Sequence, residues 1–464
     1  MKNSKPKKIF VFILALALAV TFMPAVSASE PPAGAQITDI YSPWAEFYVL
    51  MADAYGLGNE GTYSNFRGGL TEGKFSAVLE SLDKNFVYEF EDINNTVTRG
   101  EVIAGLYGII TGEPDAGEEA LEYFINERLI SGRASGNYQL DEICTVEEMI
   151  IFSVRAYEHI NRLAENYSSG FFWQVNGGKS TVYLLGSIHF GDISIYPMSK
   201  AIEDAFASSP NFGVEVNVAA ISEEDLAYIS QQQLILDGTV ISDYISPETY
   251  ELYAEVMQML ELPAEVYDYI QPWAASTMLT NIIAELSGSE ESPVLAVLGM
   301  DMHYLIKAAL ARKNIFELEN VRLQIDMLAS FSPELQEMQL LENLTGFMSL
   351  AYGQTEEDAE AQAAAAGEVF LTMLEAVRDG DDEVMGMMLG VGVDIEELDP
   401  LAFELLDKLL RQRDKGMAAS IAALLEDGSS GDYFIIIGAA HFIGEGGNII
   451  ELLEEMGYDA TRIK

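Results

Sequence analysis

The chain has 464 residues, 49% of them hydrophobic, so it is too long for one ordinary domain and can build a sizeable core. With 74 Asp and Glu against 25 Lys and Arg, its formal net charge of −49 repels nucleic acid and anionic lipid, and we expect neither as a partner. The single cysteine, Cys144, excludes an intrachain disulfide.

The first 28 residues have the pattern of a secretory signal peptide. Four lysines form a basic start, residues 9–23 are apolar, and Val26-Ser27-Ala28 is a candidate cleavage site. The apolar stretch is short for a permanent membrane span, and no second long apolar run follows. The sequence therefore predicts a protein that is secreted or held at the cell surface. Retention of the signal as an anchor is the alternative.

Residues 29–165 are predicted to form a smaller, mostly helical domain. Two of its helices begin with a capping-box pattern, in which a threonine is followed three residues later by a glutamate. These pairs are Thr98 with Glu101 and Thr145 with Glu148. Their recurrence suggests an internal repeat of two copies.

This part of the chain resembles the S-layer homology module over residues 36–160. The resemblance rests on Trp44-Ala45-Glu46, on Thr98-Arg99-Gly100-Glu101, and on a degraded second copy at Thr145-Val146-Glu147-Glu148. It implies that the domain binds a cell-wall polymer. The alternative is a helical accessory domain whose Thr–Glu pairs only cap helices.

After a predicted linker at residues 163–173, strand patterns alternate with helical patterns. The strand patterns occupy residues 181–185, 211–216, 294–298, 315–318 and 433–437. This alternation predicts an α/β domain over residues 166–464, with a mixed, largely parallel sheet flanked by helices. Residues 354–400 are acidic and rich in Ala and Met, which favours a solvated helical cover.

Polar side chains follow several of the predicted strands. His189 comes three residues after Gly186, and His441 comes three residues after Gly438, each just past a strand end. Glycine permits a sharp turn at such a position, and the loops that leave parallel strands share one edge of a sheet. We therefore expect both imidazoles at one site. Further side chains that could join them are those of Glu215, Asp301, His303, Glu319 and Arg322.

A site of this composition is suited to a divalent metal. Mixed His and carboxylate ligands suit Mn, Co, Fe or Zn better than Mg or Ca. Glu215 is the most informative candidate, because a carboxylate inside an apolar strand is costly unless it is paired or bound to a metal. The structural alternative for Glu215 is a buried ion pair with Arg322 or Arg413.

Other candidates also have structural alternatives. Asp301 could be the N-cap of a helix over residues 302–312, with His303 in its first turn, and Glu319 could pair with Arg322. The glycine-rich residues 444–448 lack the lysine of a phosphate-binding loop, so nucleotide binding is disfavoured. The HExxH and GxSxG motifs are absent from the sequence, which disfavours a thermolysin-type protease and a serine α/β-hydrolase.

Residues 172–464 resemble the TraB/GumN/PrgY family, whose metal-dependent protease members are known as TIKI. The segments that carry the resemblance are YLLGSIHFG, FGVEVN, QPWAAS, GMDMHYLIKAALARKNIFELENVRLQ and YFIIIGAAHFIGEGGNIIELLEEMGYDATRI. The two GxxH motifs of the family match the segments around His189 and His441, and its strand glutamate matches Glu215. A later Leu-Glu with a downstream Gln matches Glu319 and Gln324. Many members also have an Arg-Asn pair before the last strand.

The resemblance implies a TraB/GumN-like α/β fold and a metal-dependent hydrolase that acts as a peptidase on peptide or protein substrates. His189 and His441 would hold the metal, with Glu215 as a ligand or general base. Glu319 and Arg322 would orient a ligand or stabilise developing negative charge. The candidates for further site residues are Asp301, His303, Gln324 and Arg413, the last of which precedes Asp414 where many members have Asn. The family also includes regulators of conjugation and pheromone signalling, so the alternative is a non-catalytic protein that sequesters a secreted peptide signal.

Overall fold

The computed structural model describes residues 41–59, 61–83, 93–113, 118–130, 137–286, 296–351, 356–389, 398–444 and 446–464. The predicted signal peptide, residues 1–28, lies outside the described residues. The described chain divides into two compact units, and the division in sequence falls between Tyr167 and Ser168. Each unit has its own core and its own architecture.

The N-terminal unit is helical. Its helices in the described residues are α1 Glu46–Ala54, α2 Glu72–Leu82, α3 Arg99–Thr111, α4 Glu118–Asn126 and α5 Val146–Leu163. The predicted capping boxes are present at the start of α3 and α5, where threonine and glutamate side chains satisfy backbone amides that a helix leaves unpaired.

The described residues of this unit contain three copies of the capped-helix motif, one more than the sequence predicts. The third copy starts at Thr71, which caps α2, and Lys74 stands where the other copies have glutamate. Residues before the three capping threonines form a closed ring of backbone hydrogen bonds. Leu70 N–H donates to Cys144 at 2.7 Å, Cys144 N–H to Val97 at 2.9 Å, and Val97 N–H to Leu70 at 3.0 Å. The repeat therefore builds an approximately three-fold core.

The C-terminal unit contains a six-stranded sheet in its described residues. The strands are β1 Phe171–Asn176, β2 Val182–Ser187, β3 Asn211–Val214, β4 Asn314–Glu317, β5 Tyr433–Gly438 and β6 Asp459–Arg462. Their order across the sheet is β4-β3-β5-β2-β1-β6. Strands β4, β3, β5 and β2 pair in parallel, and β1 runs antiparallel to both of its neighbours. The prediction of a mixed, largely parallel sheet is confirmed.

Helices connect these strands. They are α6 Lys200–Ser208, α7 Glu223–Gln232, α8 Pro247–Met259, α9 Ala264–Tyr267, α10 Pro272–Leu286, α11 Met300–Leu310, α12 Val321–Ala329, α13 Pro333–Ala351, α14 Glu356–Asp379, α15 Asp382–Leu389, α16 Pro400–Leu406, α17 Gln412–Glu426 and α18 Ile449–Glu455. A π-helical segment, Asp407–Arg411, joins α16 to α17. Within the described ranges, no helix combines the length and apolar character needed to cross a membrane.

The centre of the sheet lies in strand β5. Its residues Phe434, Ile435, Ile436 and Ile437 have no exposed surface. A strand buried on both faces appears in sequence as an uninterrupted apolar run, which is why this strand could be predicted. The strand therefore provides a rigid base for the residues that follow it.

One predicted strand is wrong. Residues 296–298, the described part of the predicted strand 294–298, form a 3-10 helix. The Leu298 carbonyl accepts a hydrogen bond from the Tyr196 hydroxyl at 2.9 Å, and Met300 N–H donates to the Ile188 carbonyl at 2.9 Å. This apolar segment therefore packs against the loop after β2 and does not join the sheet.

The predicted linker at residues 163–173 is also partly wrong. It overlaps β1, because Phe171 and Phe172 are buried and pair with Gly186 and Leu185 of β2. The edge strand β6 was not predicted, because its alternating exposed residues carry little apolar signal.

Candidate functional site

The two GxxH motifs meet at one edge of the sheet. Strands β2 and β5 are parallel neighbours, with Ser187 opposite Gly438. His189 follows β2 and His441 follows β5 by a few residues each, so both leave the same edge. The predicted juxtaposition of the motifs therefore follows from the strand register.

A side chain at either motif glycine would press on its neighbours, most severely at Gly186. A Cβ atom on Gly186 would lie 2.7 Å from the Cβ of Phe171 and 3.1 Å from the Cα of Ala439. A Cβ atom on Gly438 would lie 3.3 Å from Glu215 Oε1. Gly438 has a φ of −48°, which other residues also adopt, so the sharp turn predicted for it is not the reason for glycine.

His189 is paired with a carboxylate. Its Nδ1 lies 2.9 Å from Asp301 Oδ2, and the Ser187 hydroxyl donates to Asp301 Oδ1 at 2.8 Å. Burial lowers the pKa of His189, but the nearby Asp301 carboxylate outweighs it and raises this pKa to about 9. The Glu215 carboxylate also raises the pKa of His189, so the negative charge of Glu215 lies near the His189 ring.

Asp301 and His303 lie on helix α11 but differ in surroundings. The N-cap of α11 is Gly299, so the prediction that Asp301 caps this helix is wrong. Asp301 instead belongs to the first turn and faces His189. Two residues along a helix correspond to about 200° of rotation. His303 therefore points away from the side of α11 on which Asp301 faces His189. Its buried ring stacks on Tyr196 at a centroid distance of 4.1 Å.

His441 is held between two carboxylates. The residue is buried in a short 3-10 helix, Ala439–Phe442, directly after β5. Its Nδ1 lies 2.6 Å from Asp414 Oδ1, and its Nε2 lies 3.9 Å from Glu215 Oε1. Burial raises the pKa of Asp414, although the hydrogen bond with His441 opposes the shift.

Glu215 is buried and fully engaged. Its Oε1 accepts the Gly438 N–H at 2.6 Å, and its Oε2 accepts from Arg413 Nη2 and from Gln324 Nε2, the latter at 3.4 Å. Burial raises the pKa of Glu215, but the Arg413 guanidinium and the two histidines outweigh this effect and lower it to about 2. So acidic a group is a poor proton acceptor near neutral pH, which disfavours the predicted general-base role.

Arg413 bridges Glu215 and Glu319. Its Nε donates to both Glu319 oxygens at 3.0 Å, and its Nη2 donates to Glu319 Oε2 at 2.7 Å. Gln324 Nε2 donates to the same Glu319 oxygen at 3.1 Å. The buried ion-pair alternative for Glu215 is therefore present, and its partner is Arg413.

Arg322 lies outside this cluster. Its Nε is 2.6 Å from Asp225 Oδ1 and its Nη2 is 2.7 Å from Glu224 Oε1. The pairing of Arg322 with Glu319 that the sequence suggested is therefore wrong. With 38% of its side chain exposed, Arg322 forms a surface ion pair, and the structure does not bring it to the histidines.

Asp414 is the site residue that sequence reasoning missed. It follows Arg413 on α17, so the two side chains point about 100° apart, one to Glu215 and one to His441. The π-helical segment before α17 offers its Leu409 carbonyl to Arg413 Nη1 at 3.1 Å. π-Helical segments are frequent at functional sites. The signal in the sequence was the position of Asp414 directly after the matched arginine.

In the glycine-rich segment after His441, two described backbone amides contact a carboxylate of the chain. The amides of Gly446 and Gly447 donate to Glu451 Oε2 at 3.0 and 2.6 Å. A carboxylate of the chain itself therefore satisfies these two amides.

The two histidines have the chemistry of metal ligands. Each directs Nδ1 to a carboxylate, an arrangement typical of metal-binding histidines, whose other nitrogen contacts the metal. The 3.9 Å between His441 Nε2 and Glu215 Oε1 is too long for a hydrogen bond. Two such donors of one tetrahedral ion lie about 3.4 Å apart, so a metal held by both atoms would draw them closer together. Among the described residues, no three His, Cys, Asp or Glu side chains are already arranged to hold a metal ion.

The raised pKa of His189 predicts a pH-dependent stability of the metal-free protein. Because this pKa is about 9 in the folded state and about 6.5 ordinarily, the stabilisation is complete below about pH 6.5 and is lost as pH rises through about 9. The free energy of unfolding measured with urea should fall by roughly 3 kcal/mol between about pH 6.5 and about pH 9. The Asp301→Asn protein should lose much less over the same range, and an equal loss would contradict this assignment.

Comparison with known proteins places the C-terminal unit in a family. The TraB/PrgY/gumN family model matches residues 171–462, which include both GxxH motifs and Glu215. No curated protein and no solved structure matches the chain. The helical unit lies outside the family match, so its S-layer resemblance stays a prediction. Since the match covers more than half of the sequence, the chain belongs to the TraB/PrgY/gumN family.

Proposed function

We propose that the C-terminal unit is a metal-dependent hydrolase that cleaves peptide bonds. The observation that carries this proposal is the pair of strand-end histidines, each with Nδ1 beside a carboxylate, that leave neighbouring parallel strands. A divalent metal bound there would lower the pKa of its water toward 7 and polarise the scissile carbonyl. The family resemblance supports peptides as the substrate class.

His189 and His441 would hold the metal through their Nε2 atoms. Glu215 faces His441 Nε2 and would supply the negative charge that a divalent cation needs beside two neutral imidazoles. Arg413 keeps Glu215 ionised and, with Gln324, fixes its orientation. A donor set of imidazole and carboxylate suits Mn, Co, Fe or Zn.

Secretion and binding to a cell-wall polymer are further parts of this proposal. The signal pattern of residues 1–28 supports export, and the S-layer resemblance of residues 36–160 supports wall attachment. Fractionation of the producing cells would test both parts. Recovery of the protein only from the cytoplasm would contradict them.

The hydrolase proposal is tested with a peptide library. Protein purified without an affinity metal should cleave a subset of peptides, lose this activity with a chelator, and regain it with Mn, Co, Fe or Zn. Metal analysis of the same preparation should find one of these ions. Peptide binding that survives chelation and yields no product would support a non-catalytic binding protein. Absence of cleavage with every metal would overturn the proposal.

A further inference from the structure

We propose that Asp414 and Asp301 are positioning residues that fix the protons of the two site histidines. Asp414 would hold the His441 proton on Nδ1, and Asp301 would do the same at His189. Each Nε2 would then present a lone pair to a divalent cation. The role of the cation rests on the proposed function, whereas the position of the protons does not.

The contact at His441 supports this arrangement directly. Nδ1 lies 2.6 Å from Asp414 Oδ1, and both side chains are at most 4% exposed. When Asp414 is ionised, its carboxylate can only accept hydrogen bonds, and Nδ1 then carries the proton that joins the pair. In the neutral ring, Nε2 is then an acceptor.

The opposite side of the His441 ring supports a cation. Nε2 faces Glu215 Oε1 at 3.9 Å, beyond hydrogen-bonding distance. Glu215 Oε1 already accepts the Gly438 N–H at 2.6 Å. A nitrogen lone pair and a carboxylate oxygen therefore face each other, an arrangement that a positive charge between them would stabilise.

A second imidazole–carboxylate contact lies at His189 and is built from unrelated elements, although there the Asp301 oxygen is close to Nδ1 without being aligned for a hydrogen bond. Asp301 comes from helix α11, whereas Asp414 comes from helix α17. Asp301 Oδ2 lies 2.9 Å from His189 Nδ1, and its other oxygen is held by the Ser187 hydroxyl at 2.8 Å. Two turn histidines with only structural roles could use either ring nitrogen. The choice of Nδ1 by both leaves both Nε2 atoms for a ligand.

Nitrogen NMR of metal-free protein labelled with ¹⁵N-histidine tests the proton positions. At a pH where the rings are neutral, His189 and His441 should both show the Nδ1–H tautomer. Asp414→Leu should release this preference at His441 and leave His189 unchanged. Asp414→Asn should retain it, because the amide oxygen still accepts the Nδ1–H. An Nε2–H tautomer in the parent, or no change in Asp414→Leu, would overturn the inference.

Competition with a chromophoric chelator tests the consequence for metal affinity. Zn²⁺ and Co²⁺ should bind about 10–100-fold more weakly to Asp414→Leu than to the parent, with Asp414→Asn between them. Asp399→Asn is the matched control, because the exposed Asp399 caps α16 through amide hydrogen bonds at 2.9 and 3.0 Å. Its metal affinity should equal that of the parent.

The two proposals fail in different ways. If the parent binds metal and Asp414→Leu binds it equally well, the inference is wrong and the proposed hydrolase can stand. If the parent binds no metal, the proposed function fails, and the tautomer measurement still decides the role of Asp414.

Discussion

Replacing Arg413 by methionine should lower the free energy of unfolding by about 3–5 kcal/mol. The Arg413 side chain is 3% exposed and joins Glu215 to Glu319, whose side chains are 7% and 6% exposed. Methionine fills similar space but removes the guanidinium that pairs with both buried carboxylates. Their mutual repulsion and their lost solvation then act together. Urea unfolding of the metal-free protein near pH 7 measures the effect.

Arg322→Met is the matched control for this change. Arg322 also bridges two carboxylates, but it does so at the surface, with 38% of its side chain exposed. Its loss should cost less than about 1 kcal/mol. The triple variant Arg413→Met, Glu215→Gln, Glu319→Gln should recover much of the stability, because it removes the uncompensated charges. A loss at Arg413 as small as that at Arg322 would show that the buried network is not needed for folding.

Replacing either His189 or His441 by alanine should reduce metal affinity and peptide cleavage by more than about 100-fold. Removing a residue that only orients a metal ligand typically weakens metal affinity or activity by up to about 100-fold. Removing the ligand itself also breaks a bond to the metal, so its effect should be larger. Each variant leaves one imidazole and Glu215, too few donors for a stable site. Metal titration and cleavage of a peptide found in the library measure the two effects separately.

His159→Gln serves as the control for the histidine variants. His159 lies in the helical unit, where its Nε2 contacts the Tyr123 hydroxyl at 2.7 Å. This variant should keep both the metal and the activity of the parent. If His189→Ala or His441→Ala also keeps both, the metal centre is elsewhere and the proposed function is wrong.

The strand-end histidines could be predicted because their signals are local. An apolar run such as residues 433–437 indicates a buried strand, and Gly438 with His441 directly follows it. Glu215 was visible for the same reason, although it lies just past the end of β3 at Val214 and not inside the strand as predicted. The capping boxes at Thr98 and Thr145 were also predicted, since a cap involves residues only three positions apart.

The partners of these groups could not be predicted from local patterns. The sequence offered two arginines, Arg322 and Arg413, as ion-pair partners of Glu215. The tertiary structure brings Arg413 on α17 to Glu215 and leaves Arg322 paired with Asp225. Asp414 was missed because its contact with His441 joins residues 27 positions apart. The wrong strand at residues 296–298 has a related cause, since an apolar segment can pack on a loop as well as in a sheet.

The sequence by itself indicated the buried strands β2 and β5 and where glycine and histidine stand relative to their ends. Those features depend on neighbouring residues and on alternation along one strand. Only the tertiary structure decided which charges meet and which nitrogen of each imidazole faces a carboxylate. Such contacts depend on strand order and helix orientation, which distant parts of the chain establish together when they bury a common core.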